Sequence, residues 1–271
     1  MYVHQKVAIV TGGIRGIGFV TVQHLLRKGA AFVFIQYVAI FDLHKFDSKV
    51  VIDGMTKLEQ EFNSDKFGYY TCDVANIKEF ISRYEEISKM KSYVDILINN
   101  AGICAEKKPE MMININFTAV VKCTMAAVDR MATHKGHKGG TVINVGSIYG
   151  LINIPLIPVY NATKHAVVSF VRSMKEHNKT IGMRIMCICP GLTHTDMTTT
   201  GDRDLLVYDF IPFEMVDNHV KQKLQDPSNV AAATIEILEK GNGGDVWMVK
   251  DDEPPFNVGE MTDIEKMRIP F

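Results

Sequence analysis

Two side chains with complementary chemistry, Tyr160 and Lys164, lie four residues apart in the segment PVYNATKHAVVSF. Apolar residues recur through this segment near helical spacing, which predicts a helix with one buried face. Because residues four apart lie one helical turn above each other, the ammonium of Lys164 would lie beside the phenol of Tyr160. A free tyrosine has a pKa of about 10, and a neighbouring cation favours its phenolate form. The pair therefore predicts a tyrosine tuned for general acid/base catalysis.

An alternation of strands and helices would position this pair. Strands are predicted at 6–12, within 31–42, and at 68–74, 94–102, 140–147, 183–191 and 245–250. Helical patterns are predicted between them, at about 17–28, 53–63, 75–90, 109–133, 158–178 and 228–239. Buried strands separated by crossover helices predict a parallel sheet that is covered on both faces. Ligands of such sheets bind beyond the carboxyl ends of the strands.

A glycine-rich turn follows the first predicted strand in the stretch VTGGIRGIG. Gly12, Gly16 and Gly18 would let the chain turn sharply and let a ligand approach the main chain closely. The helix that begins there offers free N–H groups and positive potential to a pyrophosphate. A glycine triplet between a strand and a helix is typical of dinucleotide binding.

The spacing of these glycines, G-x-x-x-G-x-G, resembles that of the short-chain dehydrogenase/reductase family. Further stretches match the motifs of that family in the same order: CDV, NNAG, NINF, VGS, YNATK and PGLTHT. The resemblance covers about residues 5 to 250. It implies an α/β fold, a single Rossmann-like domain with a doubly wound parallel sheet of about seven strands and helices on both faces.

The resemblance implies a catalytic set of Asn116, Ser147, Tyr160 and Lys164. Tyr160 would exchange the proton of an alcohol, Ser147 would hydrogen-bond the reacting oxygen, and Lys164 would bond the nicotinamide ribose. Asn116 would support a water that links Lys164 to solvent. The cofactor-binding residues implied in the same way, together with Tyr160 and Lys164, are Gly12, Arg15, Gly16, Ile17, Gly18, Asp42, Asp73, Val74, Asn100, Ala101, Gly102, Pro190, Gly191, Thr193 and Thr195.

The second strand decides which nicotinamide cofactor is favoured. An acid after this strand would bond the adenosine ribose and repel a 2′-phosphate, which selects NAD. The first acid is Asp42, several residues later than in the family. Either extra residues precede a strand VAIFD that ends at Asp42, or the strand is AFVFIQ and Asp42 lies in a loop; we favour the first. Arg15 could pair with a 2′-phosphate, so NADP stays possible while NAD is predicted.

Apolar residues dominate the two segments that would form the substrate wall, 148–158 and 197–216. They predict a small apolar alcohol or ketone as substrate. We expect a dinucleotide-binding and catalytic domain at 1–250, a substrate lid at about 197–220 that orders over the ligand, and a solvated tail at 251–271. The family also implies a homodimer through the helices at 109–133 and 158–178.

The bulk composition argues against several other classes of protein. Of 271 residues, 46% are hydrophobic and 23% are charged, with a formal net charge of -1. Such a balance predicts no nucleic-acid or membrane-surface partner, and no apolar run reaches the length of a membrane span. The five scattered cysteines are typical of a reducing compartment, so a cytoplasmic location is expected. His134 and His137 lack further ligands nearby in the sequence, so no metal site is predicted.

Two alternatives to an NAD-dependent alcohol dehydrogenase stay open at this point. An NADPH-dependent carbonyl reductase would use the same fold and would be favoured by Arg15. A non-catalytic dinucleotide-binding protein would be favoured by the displaced acid Asp42, if the adenosine pocket is remodelled. The presence of all four implied catalytic residues argues against this second alternative.

Overall fold

The computed structural model describes residues 6–27, 35–199, 208, 210–212, 214–215 and 222–259. Within this part of the chain, eight strands form one sheet in the order β3-β2-β1-β4-β5-β6-β7-β8. The strands are β1 (Lys6–Thr11), β2 (Ile35–Asp42), β3 (Phe67–Thr71), β4 (Ile96–Asn99), β5 (Gly140–Val145), β6 (Met183–Pro190), β7 (Val246–Val249) and β8 (Phe256–Asn257). β1 to β7 pair in parallel, and β8 pairs antiparallel with β7. The predicted doubly wound parallel sheet is confirmed.

Helices cover both faces of this sheet, as predicted. In chain order the helices are α1 (Gly16–Arg27), α2 (Lys49–Glu61), α3 (Ile77–Lys91), α4 (Pro109–Ile113), α5 (Val120–Met131), α6 (Pro158–Ser173), α7 (Asn178–Ile181), α8 (Asp196–Thr199) and α9 (Pro227–Lys240). A π-helical segment, Asn114–Ala119, joins α4 to α5. Single 3-10 turns occur at Ser64–Lys66, Thr133–Lys135, Ile148–Gly150 and Lys175–His177.

Alternate residues of each central strand enter two separate cores. Val7 and Ile9 of β1 pack with residues of α3, α5 and α6, whereas Ala8 and Val10 pack with residues of α1, α2 and α9. Successive side chains of a strand point to opposite faces of the sheet, so a strand that is covered on both sides must be apolar throughout. The continuous apolar runs in the sequence therefore indicate a sheet that is buried between two helical layers.

The second strand ends at Asp42, as the favoured sequence interpretation predicted. Its register with β1 shifts near its start, because Ile35 pairs with Lys6 while Tyr37 pairs with Val7. One extra residue, Gln36, is thus accommodated as a bulge at the beginning of the strand. The alternative strand AFVFIQ falls mostly outside the described residues, but Asp42 lies at the tip of β2 and not in a loop.

Residues 251–259, which begin the segment expected to be a solvated tail, are mostly exposed and also extend the sheet. The backbone turns at Asp251 and Asp252, and β8 then pairs with β7. The amide of Val258 donates to the carbonyl of Val246 at 2.7 Å, and Arg172 of α6 donates to the carbonyl of Gly259 at 3.0 Å. The sheet therefore continues past residue 250. Most of the predicted lid at 197–220 lies outside the described residues.

One helical stretch corrects the expectation that no segment could span a membrane. Pro109–Met131 is long and apolar enough by length and composition, and its most apolar window of 18 residues has a mean hydropathy of 1.4. Half of its most apolar window is buried inside the fold. Buried core helices pass the same test, so the segment is weak evidence for a membrane span.

Candidate active site

A cavity of about 610 Å³ opens at the carboxyl ends of the parallel strands. Fold topology places it there, because the loops after β1, β2, β4, β5 and β6 all leave the sheet at the same edge. Most of the residues predicted from the sequence line this one cavity, namely Gly12, Arg15, Gly16, Ile17, Asp42, Asp73, Val74, Asn100, Ala101, Gly102, Ser147, Tyr160, Lys164, Pro190, Gly191, Thr193 and Thr195. Gly18 and Asn116 do not line it and lie behind its wall.

The glycine turn after β1 is packed too closely for side chains. Gly12 has a φ of +62°, and a Cβ there would lie 2.8 Å from the Cα of Ala101. A Cβ on Gly18 would lie 2.1 Å from the carbonyl oxygen of Gly12. Gly18 therefore acts by letting α1 approach the turn, whereas Gly12 and Gly16 expose main chain to the cavity.

Asn100 fixes this turn to the loop after β4. Its side-chain amide donates to the carbonyls of Thr11 and Gly12, at 3.0 and 2.9 Å. The hydroxyl of Thr11 accepts hydrogen bonds from the backbone amides of Asn100 and Ala101, both at 3.1 Å. These bonds make the glycine turn and the NNAG loop one rigid unit beside the cavity.

Asp42 presents a buried carboxylate at the tip of β2, with 6% of its surface exposed. Its Oδ1 lies 2.7 Å from Nδ1 of His44, and its Oδ2 accepts a hydrogen bond from the amide of Ile14 at 3.4 Å. His44 also lines the cavity, and it was not among the residues predicted from the sequence. A fixed carboxylate in the cavity wall can accept hydrogen bonds from ligand hydroxyls and repel ligand phosphates.

Arg15 lines the same cavity, and its side chain is half exposed. Its guanidinium lies 3.9 Å from the carboxylate of Asp196, which also lines the cavity. An exposed ion pair at this distance contributes little binding energy. Arg15 is therefore available to a ligand, but it already faces an acid of the chain.

Ser147, Tyr160 and Lys164 converge at the other end of the cavity. Ser147 is buried, lies two residues after the end of β5 and lines the cavity together with Tyr160. The ammonium of Lys164 donates to the carbonyl of Val145 at 2.9 Å and lies 5.6 Å from the centroid of the Tyr160 ring. The turn of α6 that separates Tyr160 from Lys164 thus places both side chains beside Ser147, as the helical spacing predicted.

Burial dominates the electrostatics of Tyr160 and Lys164. It raises the pKa of Tyr160 above its ordinary value, and the interaction with the Ser147 side chain lowers it in part. Burial also lowers the pKa of Lys164 to about 8. The expectation from the sequence combined Lys164 with an oxidised nicotinamide ring, and it stays a prediction, since without that ring desolvation sets the pKa of the phenol.

Asn116 holds a loop in place from inside the π-helical segment. Its Oδ1 accepts from the amide of Ile103 at 2.9 Å, and its Nδ2 donates to the carbonyl of Ile103 at 2.8 Å. A Cβ on Gly102 would lie 3.3 Å from Asn116 Oδ1 and 3.6 Å from Lys164 Nζ. The wider π-helical turn, a feature common at functional sites, places this side chain close to Lys164.

Apolar side chains form much of the remaining wall. Tyr149, Leu156, Ile157 and Met197 belong to segments that the sequence singled out. The cavity also takes apolar residues from outside those segments, which were not predicted: Phe41, Leu43, Ile103, Cys104, Ile115, Leu192 and Leu224. Ile103 and Cys104 directly follow the NNAG stretch, which was the available signal for them.

Among the described residues, no group of three or more His, Cys, Asp and Glu side chains is placed to hold a metal ion. The five cysteines are all free thiols. Cys187 and Cys189 lie side by side on one face of β6, with their sulfurs 3.7 Å apart.

Comparisons with known proteins agree with this geometry. The chain is 30% identical over 246 residues to human 15-hydroxyprostaglandin dehydrogenase [NAD(+)], covering 88% of each protein. It is 28% identical over 247 residues to alcohol dehydrogenase 2 of Ceratitis cosyra, covering 90% of each. A crystal structure of a short-chain dehydrogenase/reductase from Burkholderia phymatum in complex with NAD superposes with a TM-score of 0.71 at 20% identity, covering 92% of this chain and 90% of that one. The sequence pattern of the family described as short chain dehydrogenase matches residues 6–205. The chain therefore belongs to the short-chain dehydrogenase family.

Proposed function

We propose that the protein is an NAD-dependent oxidoreductase that interconverts a secondary alcohol and a ketone on an apolar substrate. The observation that carries this proposal is the convergence of Ser147, Tyr160 and Lys164 on the same cavity as the glycine turn and Asp42. A proton-transfer group and a dinucleotide cradle in one cavity are the requirements of hydride-transfer chemistry. The similarity to a 15-hydroxyprostaglandin dehydrogenase and to an alcohol dehydrogenase supports the same reaction class.

The residues present fit a dinucleotide. Gly12 and Gly16 line the cavity with main chain and no side chain, and α1 begins at Gly16, where the amides of a first helical turn can bind an anion such as a pyrophosphate. Asp42 would accept the adenosine ribose hydroxyls, with Asp73 and Val74 beside the adenine. Asn100, Ala101, Gly102, Pro190, Gly191, Thr193 and Thr195 would line the nicotinamide half. Asp42 favours NAD over NADP, as its carboxylate repels a 2′-phosphate.

In the forward direction, Tyr160 accepts the hydroxyl proton of the alcohol and Ser147 holds the reacting oxygen by a hydrogen bond. A bound oxidised nicotinamide supplies the hydride acceptor and a positive charge. Lys164 is cationic below a pKa of about 8 and contributes further positive potential at the ring face of Tyr160. These charges would oppose the effect of burial on Tyr160. Reduction of a ketone reverses the steps.

The substrate end of the cavity supports an apolar ligand. Tyr149, Leu156, Ile157 and Leu192 line it, while Arg15 lies near the glycine turn instead. A wall of this kind binds hydrocarbon by desolvation and offers little to a charged group. A lipid-like alcohol, a terpenoid, a steroid or a small secondary alcohol would each fit this description. The lid at about 197–220 remains part of the proposal.

We also propose a homodimer in the cytoplasm. Met111, Ile113 and Met125 of the 109–131 stretch are 41–48% exposed. Large apolar side chains exposed along one helix favour contact with a second copy. The five free thiols suit a reducing compartment.

Two other functions are compatible with the sequence. Arg15 in the cavity wall favours an NADPH-dependent carbonyl reductase. Its ion pair with Asp196 and the buried carboxylate of Asp42 argue for NAD. A non-catalytic dinucleotide-binding protein would follow from a remodelled adenosine pocket. Asp42 occupies the tip of β2 and lines the cavity, so an acid that can bond ribose hydroxyls is present, which argues against this alternative.

An absorbance assay that follows the reduced cofactor directly tests the proposal. Purified protein is incubated with NAD or NADP and a panel of aliphatic, terpenoid and steroid secondary alcohols, and formation of the reduced cofactor is followed. We expect turnover with NAD and at least one apolar alcohol. A clear preference for NADP would support the reductase alternative, and inactivity across the panel with both cofactors and in both directions would contradict the proposed function.

A further inference from the structure

Glu106 is a fully buried acid to which the mechanism above gives no role. Its exposure is 0%, and within the described residues only Asp42 is a comparably buried carboxylate. Glu106 lies in the loop between β4 and α4, two residues beyond Cys104 of the cavity wall. Taking a carboxylate out of water is costly unless hydrogen bonds compensate it, so its partners are informative.

Those partners are the backbone amides that begin the catalytic helix. Glu106 Oε1 accepts from the amide of Tyr160 at 2.8 Å, and Oε2 accepts from the amide of Val159 at 3.1 Å. The first residue of α6, Pro158, has no N–H, and the amide of Asn161 already donates to the carbonyl of Ile157 at 2.9 Å. Glu106 therefore satisfies both remaining amides of the first turn.

The residue at the N-cap position of α6 does not supply an acceptor for these amides. The residue that precedes the helix, Ile157, has an apolar side chain and forms no capping bond. Unpaired amides at a helix start are usually satisfied by a local Ser, Thr, Asp or Asn. Here the acceptor comes from a different loop, and its negative charge also matches the positive end of the helix.

The same loop is anchored at its other end by Asn116, which bonds both the amide and the carbonyl of Ile103. Ile103 and Cys104, between the two anchors, line the cavity. The phenol of Tyr208 donates to the backbone carbonyl of Glu106 at 3.1 Å. Glu106 thus joins the start of α6, the loop after β4 and a residue that follows β6.

We propose that Glu106 is a positioning residue that sets the place of Tyr160 relative to Ser147 and the substrate. The inference rests on the proposed function. Each carboxylate oxygen takes one amide, so the position of the Tyr160 backbone depends on both. Glutamine offers one acceptor oxygen and would turn an NH2 group toward one of the two amides. Aspartate keeps both acceptors but is one methylene shorter and cannot keep both distances.

The test compares wild type with Glu106→Gln and Glu106→Asp on an alcohol that the assay above identifies. We expect Glu106→Gln to lower kcat by roughly tenfold or more, since small misplacements of a reacting group have large effects on rate. KM for NAD should change less than about threefold. The deuterium isotope effect on kcat, measured with alcohol labelled at the carbinol carbon, should rise because the chemical step becomes slower. Glu106→Asp should show a smaller effect of the same kind.

The matched control is Asp226→Ala, which removes a cap of α9 that accepts from the amide of Ser228 at 2.7 Å. It should lower thermal stability without changing the isotope effect. A folded Glu106→Gln protein with wild-type kcat and isotope effect would overturn the inference. If that variant does not fold, wild-type values for Glu106→Asp would do the same. A wild type without any alcohol-dependent NADH formation would overturn the proposed function, and the inference with it.

Discussion

At the scale of single residues, the site depends on a conflict between burial and charge. Lys164 is buried and Tyr160 is partly buried in the cavity wall, and burial disfavours the charged form of each. Burial thus raises the pKa of Tyr160 and lowers the pKa of Lys164 to about 8. The helical spacing in the sequence predicted the contact between the two side chains. It could not predict its electrostatic balance, which depends on the strands and loops that enclose them.

The cost of burying Lys164 leads to a prediction about stability. Lys164→Met should abolish turnover yet raise the free energy of unfolding of the ligand-free protein at pH 7. A pKa lowered from 10.5 to about 8 corresponds to on the order of 3 kcal/mol, offset by the lost bond to Val145, about 1 kcal/mol. Denaturant unfolding monitored by circular dichroism measures the difference.

The pH dependence of the same measurement has a defined sign. A lysine with a lowered pKa binds its proton less tightly in the folded than in the unfolded state. The penalty is complete below pH 8 and is relieved as pH rises from about 8 to 10.5. Wild-type stability should therefore gain a contribution in this range that Lys164→Met lacks. If the free energy of unfolding of the two proteins changed with pH in the same way, burial would not be disfavouring the charged form of Lys164.

Asp42 gives a second prediction at the residue scale. Asp42→Ser should raise the ratio of kcat/KM for NADP to that for NAD by about tenfold or more, because the substitution removes repulsion of the 2′-phosphate. Steady-state kinetics with both cofactors measure the ratio. Asp65→Ser, which removes an exposed acid, is the matched control and should leave it unchanged. An unchanged ratio in Asp42→Ser would assign cofactor selection to other residues.

At the scale of elements, each strand end delivers one part of the site. The glycines lie in the turn after β1, Asp42 is the last residue of β2, and Ser147 lies in the turn after β5. The loop after β4 serves twice, through Asn100 at the glycine turn and through Glu106 at the start of α6. The approach of α1 to the first turn depends on Gly18.

Gly18→Ala tests this approach. The added Cβ would lie 2.1 Å from the Gly12 carbonyl and 2.5 Å from Asn100 Nδ2, so the helix or the turn must move. We expect a loss of about 2 kcal/mol or more in stability and a weaker affinity for NAD, measured by calorimetric titration. Gly259→Ala, where nothing lies within 4 Å of the new Cβ, should behave as wild type. Normal NAD affinity in folded Gly18→Ala would contradict the proposed cradle.

Local patterns in the sequence predicted most of these elements and their site residues, since strand, turn and helix signals are short in range. They could not predict β8, because PPFN has little strand propensity and gains its pairing from β7. Glu106 also escaped notice, because it lies 54 residues before the amide it accepts. Its only local signal is indirect: α6 begins at Pro158 after an isoleucine, without a capping side chain.

At the scale of the whole molecule, the sheet buries its two faces under separate helical layers, and several large apolar side chains stay exposed. Met111, Ile113 and Met125 belong to the stretch whose composition also passes the membrane test. Partial burial in the fold and contact with a second copy together would account for an apolar composition on more than one face.

Met125→Glu tests this assignment. A charge in the centre of an apolar contact should be costly to bury, so the variant should behave as a monomer in light scattering at a concentration where wild type is a dimer. Met90→Glu, at an exposed methionine on α3, should leave the mass unchanged. A wild-type protein that is a stable monomer would remove the dimer proposal.

The most direct measurement is the rate of alcohol-dependent NADH formation by wild type and by Tyr160→Phe. Removal of the phenolic oxygen takes away the proposed proton acceptor and leaves the ring that packs beside Lys164. We expect kcat to fall by about a hundredfold or more, with NAD affinity and thermal stability close to those of wild type. A Tyr160→Phe protein that keeps its kcat within about threefold of wild type would contradict the role of Tyr160 as general acid/base.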